Sequence, residues 1–199
     1  MDPERSMMMA RSKEFDIDDV LLKAMNIFWQ QGYEKTSMQD LVTGMGIHKR
    51  SMYDTFGDKH TLYIKALERF AAINASRMEA RIEGITSAKA AISLLFEATI
   101  HRSEDEPKGC LLVNTAVELS NHDPEAAAKA NDAFLNTEHL IEQLILHGQA
   151  NGEISSRHQA SALAAYLHNA IVGLRVMVKA TRDTGKLQTI VDTTLAVLD

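Results

Sequence analysis

The sequence predicts an all-α protein, and three observations carry that prediction. Apolar residues recur at intervals of three and four along nearly the whole chain, the period of a helix with one buried face. No stretch alternates apolar and polar residues as a half-buried strand would. Only 3 prolines and 10 glycines occur in 199 residues. They gather at joints between the periodic segments, so the helices between them should be long and uninterrupted.

The elements follow in order. Ile17, Val20, Leu21, Ala24, Ile27 and Phe28 make an apolar stripe behind Asp16, which is placed to cap the helix, and Gly32 ends it. Thr36 and Gln39 have capping-box spacing and open a short helix with Met38, Leu41, Val42 and Met45 on one face. Gly44-Met45-Gly46 stops it, a second short helix runs from about His48 to Phe56, and Gly57-Asp58 restarts the chain. A long helix with Leu62, Ala66, Phe70 and Ile73 then runs from Lys59 towards Gly84. Ala88, Ala91, Ile92, Leu95 and Phe96 define the next helix, which an acidic loop of Glu104, Asp105, Glu106 and Pro107 follows. Gly109 to Leu119 reads as a buried helix. Asp123-Pro124-Glu125 then starts a helix with a cap, a first-turn proline and an acid at the positive dipole end. That helix stops at Asn151-Gly152. Ser156 and Gln159 suggest a capping box for a helix apolar through Leu163, Leu167, Ile171, Leu174 and Val178. Gly185 is the expected break before a last helix with Leu187, Ile190, Val191 and Leu195.

Composition narrows the function classes. With 45% hydrophobic and 24% charged residues, the chain has the apolar content for a packed core and is not a disordered polyampholyte. The net charge of −6 does not announce nucleic-acid binding, and residues 1–60 hold 8 Lys and Arg against 10 Asp and Glu. Any such role must rest on a local face. A single cysteine, Cys110, excludes an internal disulfide and suits a reducing compartment. No apolar run approaches the roughly 20 residues of a membrane span, and Met1 to Met9 lacks a signal peptide's apolar core, so a cytoplasmic protein is expected. The 8 histidines show no HExxH, no Glu-x-x-His and no CxxC spacing, so no metal and no cofactor is expected. There is no GxSxG, P-loop or GxGxxG either, and an enzyme is not expected.

Residues 36–56, TSMQDLVTGMGIHKRSMYDTF, have the form of a helix-turn-helix. Two short helices that cross steeply need a small residue in the turn, here Gly46, and apolar facing positions, here Leu41, Met45, Ile47 and Met52. The second helix must present donors that reach a major groove, and Lys49, Arg50, Ser51 and Tyr53 can do so. Lys59 opens the next helix, where an ammonium beside free backbone amides makes a phosphate seat. The spacing alone also fits a helical hairpin with no DNA role.

The segment from Val20 to Leu67 resembles the DNA-binding domain of the TetR/AcrR family of repressors. FWQQGYEKTSM, GMGIHKRSMYDTFGDK and LYIKALERF carry the likeness over about 48 residues. The resemblance implies an N-terminal three-helix DNA-binding domain (14–60) behind an arm (1–13), and a larger helical regulatory and dimerisation domain (61–199). It implies a homodimer on double-stranded operator DNA, released by a small-molecule effector. Ser37 and Gln39 would touch backbone or a base edge; Lys49, Arg50 and Ser51 would enter the major groove; Tyr53 and Lys59 would grip phosphates. Arg50 stands where the family often has glycine, and Asp54 where it often has His or Trp. An Arg50–Asp54 pair at i, i+4 would relieve that carboxylate's repulsion of phosphate. The competing class is a helical small-molecule carrier or enzyme without a DNA function.

In the C-terminal part, Phe96, Phe134, Tyr166 and Met177 are candidates to line a ligand pocket, with Asn114 and Asn169 as polar groups set amid apolar stripes. His168 and Arg175 would need partners if buried. The last two helices read as a dimer interface through Leu163, Leu167, Ile171, Leu174, Leu187, Ile190 and Leu195, or as cover for their own domain. The resemblance favours the dimer. Cys110 has two readings. It is a small buried hydrophobe, or a thiol sensor at a helix start beside Lys108 and one of the candidate pocket residues, with Glu104, Asp105 and Glu106 nearby opposing thiolate formation. The segment KGCLLVNTAVELS is similar to the matching stretch of TetR-family repressors that respond to electrophiles and hypochlorite.

Overall fold

The computed structural model describes residues 15–101 and 106–199, and among them the chain forms nine α-helices and no strand. The expected arm, 1–13, and the acids Glu104 and Asp105 lie outside the described residues. The helices are α1 (Ile17–Gln31), α2 (Met38–Met45), α3 (Lys49–Phe56), α4 (Lys59–Ile82), α5 (Ala88–Ile100), α6 (Leu111–Leu119), α7 (Pro124–Ala150), α8 (Ala160–Ala180) and α9 (Thr184–Leu195). A 3-10 turn, Ala196–Leu198, follows α9.

Most helix ends follow from local chemistry as the sequence suggests. Asp16 caps α1 by accepting from the N–H groups of Asp18 and Asp19, and Asp123 caps α7 with Pro124 in the first turn. Three ends depart from expectation. The capping box of α2 is Ser37 with Asp40, not Thr36 with Gln39. Thr36 is buried, and its hydroxyl donates to the Gly32 carbonyl at 2.5 Å, so it closes the preceding turn. Ser156 and Gln159 form no box: α8 starts at Ala160 with no side-chain cap. The loop before it is held from α7, where the Gln149 amide donates to the carbonyls of Ser155 and His158. Gly185 lies inside α9; the break falls earlier, and Asp183 caps the new helix through the Lys186 N–H. Ile17 is exposed, and the buried stripe of α1 begins at Val20 and includes Met25 and Trp29.

Two apolar clusters organise the molecule. The first joins α1, α2, α3 and the front of α4 to Cys110, Leu111, Leu112, Val113 and Leu119 of the α6 segment. The second joins α5, the back of α7, α8 and α9. Helix α4, 24 residues and therefore roughly 36 Å long at about 1.5 Å per residue, runs from one to the other. Leu62, Tyr63, Leu67 and Phe70 are buried in the first cluster, and Met78 and Ile82 pack on the second. Glu153, in the loop after α7, closes the N-terminus of α5 by accepting from Ser87 and from the N–H groups of Ala88 and Lys89. The Ser87 hydroxyl, ahead of the two N–H groups, holds that carboxyl below the usual range. Helix α8 is long and apolar enough to cross a membrane by length and composition, but Leu163, Leu167, Ile171 and Leu174 are buried in the second cluster.

Candidate functional site

Helices α2 and α3 meet through buried Leu41, Val42, Met45 and Met52, with Gly46 closing α2 in the left-handed region at φ 70°. Met52 and Phe56 face inward, which leaves Lys49, Arg50 and Tyr53 exposed and Ser51 half-buried. Arg50 is 92% exposed and stands 3.7 Å from Asp54, the predicted i, i+4 pair. At that exposure the pair costs little to separate, so the guanidinium is available to another acceptor. Lys59 begins α4, and its ammonium lies 4.2 Å from the centroid of the Tyr33 ring. Gln39 is exposed and donates to Thr43. Ser37 is tied up in the cap: its hydroxyl donates to Asp40 at 2.6 Å and accepts from the Asp40 N–H. The same hydroxyl and the Ser37 N–H keep the Asp40 carboxyl below the ordinary range.

The three-helix unit is fastened to the rest of the chain by groups that no local sequence signal reveals. Glu118, in the last turn of α6, accepts from the N–H of Tyr33 at 3.0 Å and of Glu34 at 2.8 Å. These amides follow Gly32, which has φ 83°, and a Cβ on Gly32 would stand 2.9 Å from Glu118 Oε2. Glycine therefore serves both the left-handed turn and the close approach of the carboxylate. Asp123 meets His60 Nε2 at 2.9 Å, and Glu68 of α4 pairs with Lys129 of α7 at 2.6 Å. Between them Tyr63 and Thr115 share a buried hydrogen bond of 2.8 Å, and burial is the main reason the Tyr63 hydroxyl is pushed well above its ordinary pKa. Helix α6 thus touches α1 and its turn at one end and α4 along its length.

Cys110 lies at the other end of α6. It is the residue before the helix and is 2% exposed. Arg175 of α8, itself only 7% exposed, donates from Nη1 to Cys110 Sγ at 3.7 Å. Lys179, one turn on, donates to Asn114 Oδ1 at 3.1 Å, and Asn114 Nδ2 reaches the Trp29 carbonyl at 3.4 Å. Gly109 has φ 84°, and a Cβ there would fall 2.5 Å from Lys179 Cδ and 3.2 Å from the Arg175 carbonyl oxygen, so the loop packs closely on α8 at this residue. His168, two turns before Arg175, is buried with the Phe134 ring tilted against its own, centroids 5.5 Å apart. Burial first, and the Arg175 charge second, push its pKa down to about 4.

Two cavities beside α4 are lined by residues other than those predicted for the pocket. Cavities of about 450 Å³ (between α4, α6 and α7) and about 400 Å³ (between α4, α5 and α8) are present. Neither is lined by Phe96, Cys110, Asn114, Phe134, Tyr166, Asn169 or Met177. Phe96 is fully buried in the second cluster, and Phe134 and Met177 are half-buried packing groups. Tyr166 and Asn169 point outward because the opposite face of α8 carries the leucines that the core takes up. Cys110 comes nearest to the expectation, since its neighbours Gly109 and Arg175 line the second cavity.

The residues expected at the dimer interface lie largely in the core of their own chain. Leu163, Leu167, Ile171, Leu174 and Leu187 are buried within the single chain and have no surface to offer a second copy; Ile190 and Leu195 are half-buried against the same cluster. The outer face of α8 is the exposed one. Ala162, Tyr166, Asn169, Gly173 and Val176 follow one another at intervals of three and four, all exposed, with no charged residue between Ala160 and Leu174.

Two short helices joined at a left-handed glycine, the second with an exposed cationic face, carried on a helical body with cavities of its own, define the class of helix-turn-helix regulators. Residues 20–66 match bacterial regulatory proteins of the tetR family, and residues 88–194 match the tetracyclin repressor-like C-terminal domain. The chain belongs to the TetR family of transcriptional regulators. It is 37% identical over 195 residues to the uncharacterized HTH-type transcriptional regulator YezE of Bacillus subtilis (strain 168), which spans 96% of this chain and 100% of that protein. It is 32% identical over 188 residues to the HTH-type transcriptional repressor ComR of Escherichia coli (strain K12), spanning 93% of this chain and 90% of ComR. Among solved structures, a cysteine mutant of the TetR family regulator CifR in complex with 26 bp double-strand operator DNA is similar with a TM-score of 0.83. It is 26% identical and covers 95% of this chain and 100% of that one.

Proposed function

We propose that this protein is a cytoplasmic homodimeric repressor that holds operator DNA through α3 and releases it when the region around Cys110 is modified or filled. The observation that carries the reading is α6, which is fastened at one end to the thiol and α8 and at the other to the turn that enters the helix-turn-helix. The unit around residues 14–60 reads DNA: Arg50 supplies the base contact, and Lys59 and Tyr53 hold phosphates. In the dimer the exposed stripe of α8 packs against its copy, and Gly173, around which a Cβ would meet nothing within 4 Å, leaves room for close approach. Two reading helices then face major grooves about one DNA turn, or ~34–36 Å, apart. An adduct on Cys110, or a ligand beside it, displaces the start of α6; Glu118 shifts with the helix and turns the reading unit away from that spacing.

An electrophoretic shift with the DNA upstream of the protein's own gene, at stated salt, tests the reading. The expected result is a discrete dimer complex that dissociates on treatment with a maleimide and persists in Cys110→Ser. No sequence-selective complex with any genomic fragment would overturn it.

A further inference from the structure

Among the described residues, the cavity between α4, α5 and α8 is lined by more positive than negative side chains. Arg77 and Arg81 reach it from α4 and Arg175 from α8; among the described residues that line it the one carboxylate is that of Glu106, which Arg77 already holds at 2.5 Å. Arg175 is more than nine-tenths buried, and among the described residues no carboxylate lies within ion-pair distance of it; its hydrogen bond goes to the thiol of Cys110. A buried guanidinium without a counter-ion is costly, so folds retain one where a ligand completes it. Leu95 and Val178 give the same cavity an apolar wall. A planar fork of donors beside apolar surface fits a carboxylate with a short hydrocarbon body better than it fits a bare inorganic ion.

We propose that this cavity is a receptor for small organic carboxylates, which the Arg175 guanidinium holds beside Cys110, so that thiol-reactive acids are delivered to the sulfur ahead of neutral reagents of equal reactivity. The proposal rests on the reading that the surroundings of Cys110 control operator release, and it names the ligand class of that site. With a haloacid the balance is simple. The S–C bond forms as the carbon–halogen bond breaks, halide leaves with the bonding pair, and the thiol proton passes to buffer.

The test compares iodoacetate with iodoacetamide, which share a reacting carbon and differ in charge. Because Cys110 is the only cysteine of the chain, intact mass of the full-length protein reads its alkylation directly. The ratio of iodoacetate to iodoacetamide rates is expected to exceed that of glutathione in the same buffer by about tenfold, the scale of one charge-assisted contact. Arg175→Gln should return the ratio to that of glutathione, and Arg175→Lys should keep part of it. Should Arg175→Gln not fold, sodium acetate must slow alkylation of the wild-type protein by iodoacetate while acetamide, at matched ionic strength, does not. A wild-type ratio equal to that of glutathione, no protection by acetate, or a thiol that iodoacetate reaches only after denaturation would each overturn the proposal. Operator binding is not part of this readout. Anion-selective alkylation that leaves the operator complex intact would refute the release reading and keep the receptor; maleimide release with a flat ratio would do the reverse.

Discussion

The latch between Glu118 and the Tyr33–Glu34 amides is the most direct place to cut the proposed coupling. Glu118→Ala removes two hydrogen bonds from backbone N–H groups to a carboxylate, at 3.0 and 2.8 Å. Such bonds contribute about 1.5–3 kcal/mol each where water is excluded. Here the Tyr33 amide is part-buried and the Glu34 amide exposed, so water replaces much of the second, and the pair together comes to roughly 1–2 kcal/mol. If the latch carries the signal, that energy is the coupling in each subunit between Cys110 and the operator, and its loss from both subunits of the dimer should shrink the effect of modification about 30- to 1,000-fold. Fluorescence anisotropy on labelled operator, with untreated and maleimide-treated protein, measures the effect as a ratio of Kd values. Gly32→Ala should act alike from the other side, because its Cβ would stand 2.9 Å from the same carboxylate oxygen. A Glu118→Ala protein whose Kd ratio stays within twofold of wild type would refute the reasoning, whatever its absolute affinity.

Arg50→Ala should lower affinity for the operator by about 1–3 kcal/mol and relax base preference at one position, whereas Lys59→Met should weaken all sequences alike and reduce the salt slope by about one; titrations at several salt concentrations separate the two. Val176→Asp should yield a folded monomer in sedimentation equilibrium, since Val176 is 48% exposed, while Leu174→Asp should lose helical signal because Leu174 is buried in its own chain. His168 stays neutral in the folded protein down to pH about 4 and titrates near 6.5 once unfolded. The unfolded state therefore binds more protons between those values, and stability, full above pH 6.5, should fall by roughly 3 kcal/mol as pH drops to 4. His168→Leu should flatten that part of the urea-midpoint profile, and an unchanged slope would show that other groups carry it.

The fold was legible because each long helix declares itself by period and ends at a residue with local chemistry, as at Asp16, Gly46 and Asp123. The exposed face of α3 was legible for the same reason: within α3, burial of Met52 and Phe56 dictates that Lys49, Arg50 and Tyr53 face out. What stayed hidden depends on which of two apolar neighbours a helix face meets. Leu174 and Val176 differ by two positions, and only the packing of α5, α7 and α9 decides that the first is core and the second surface. Glu118 was invisible for another reason. Its partners are backbone amides more than 80 positions away, and an amide leaves no mark in a sequence. Arg175 stood out as a charge in an apolar stripe, but the thiol it meets lies 65 positions earlier.

Helix α8 decides where a disturbance at Cys110 can go. It holds the start of α6 through Arg175 and Lys179, and its outer face, from Ala162 to Val176, is the exposed one proposed above to meet the partner subunit. A helix gripped on both faces yields less than one gripped on a single face, so on the proposed reading an adduct at the thiol would displace α6 rather than α8. At the far end of α6 the exposed Glu118–Glu34 bond and the half-exposed His60–Asp123 contact are the weakest attachments, and the displacement is taken up there. Two-fold symmetry then multiplies the effect. Both reading units bind one operator, so a loss of about 1–2 kcal/mol in each subunit becomes about 2–4 kcal/mol per complex, roughly 30- to 1,000-fold in affinity. A latch of two hydrogen bonds is therefore strong enough to govern release only when both copies are modified. Half-modified dimers should hold DNA with an affinity near the geometric mean of the two extremes.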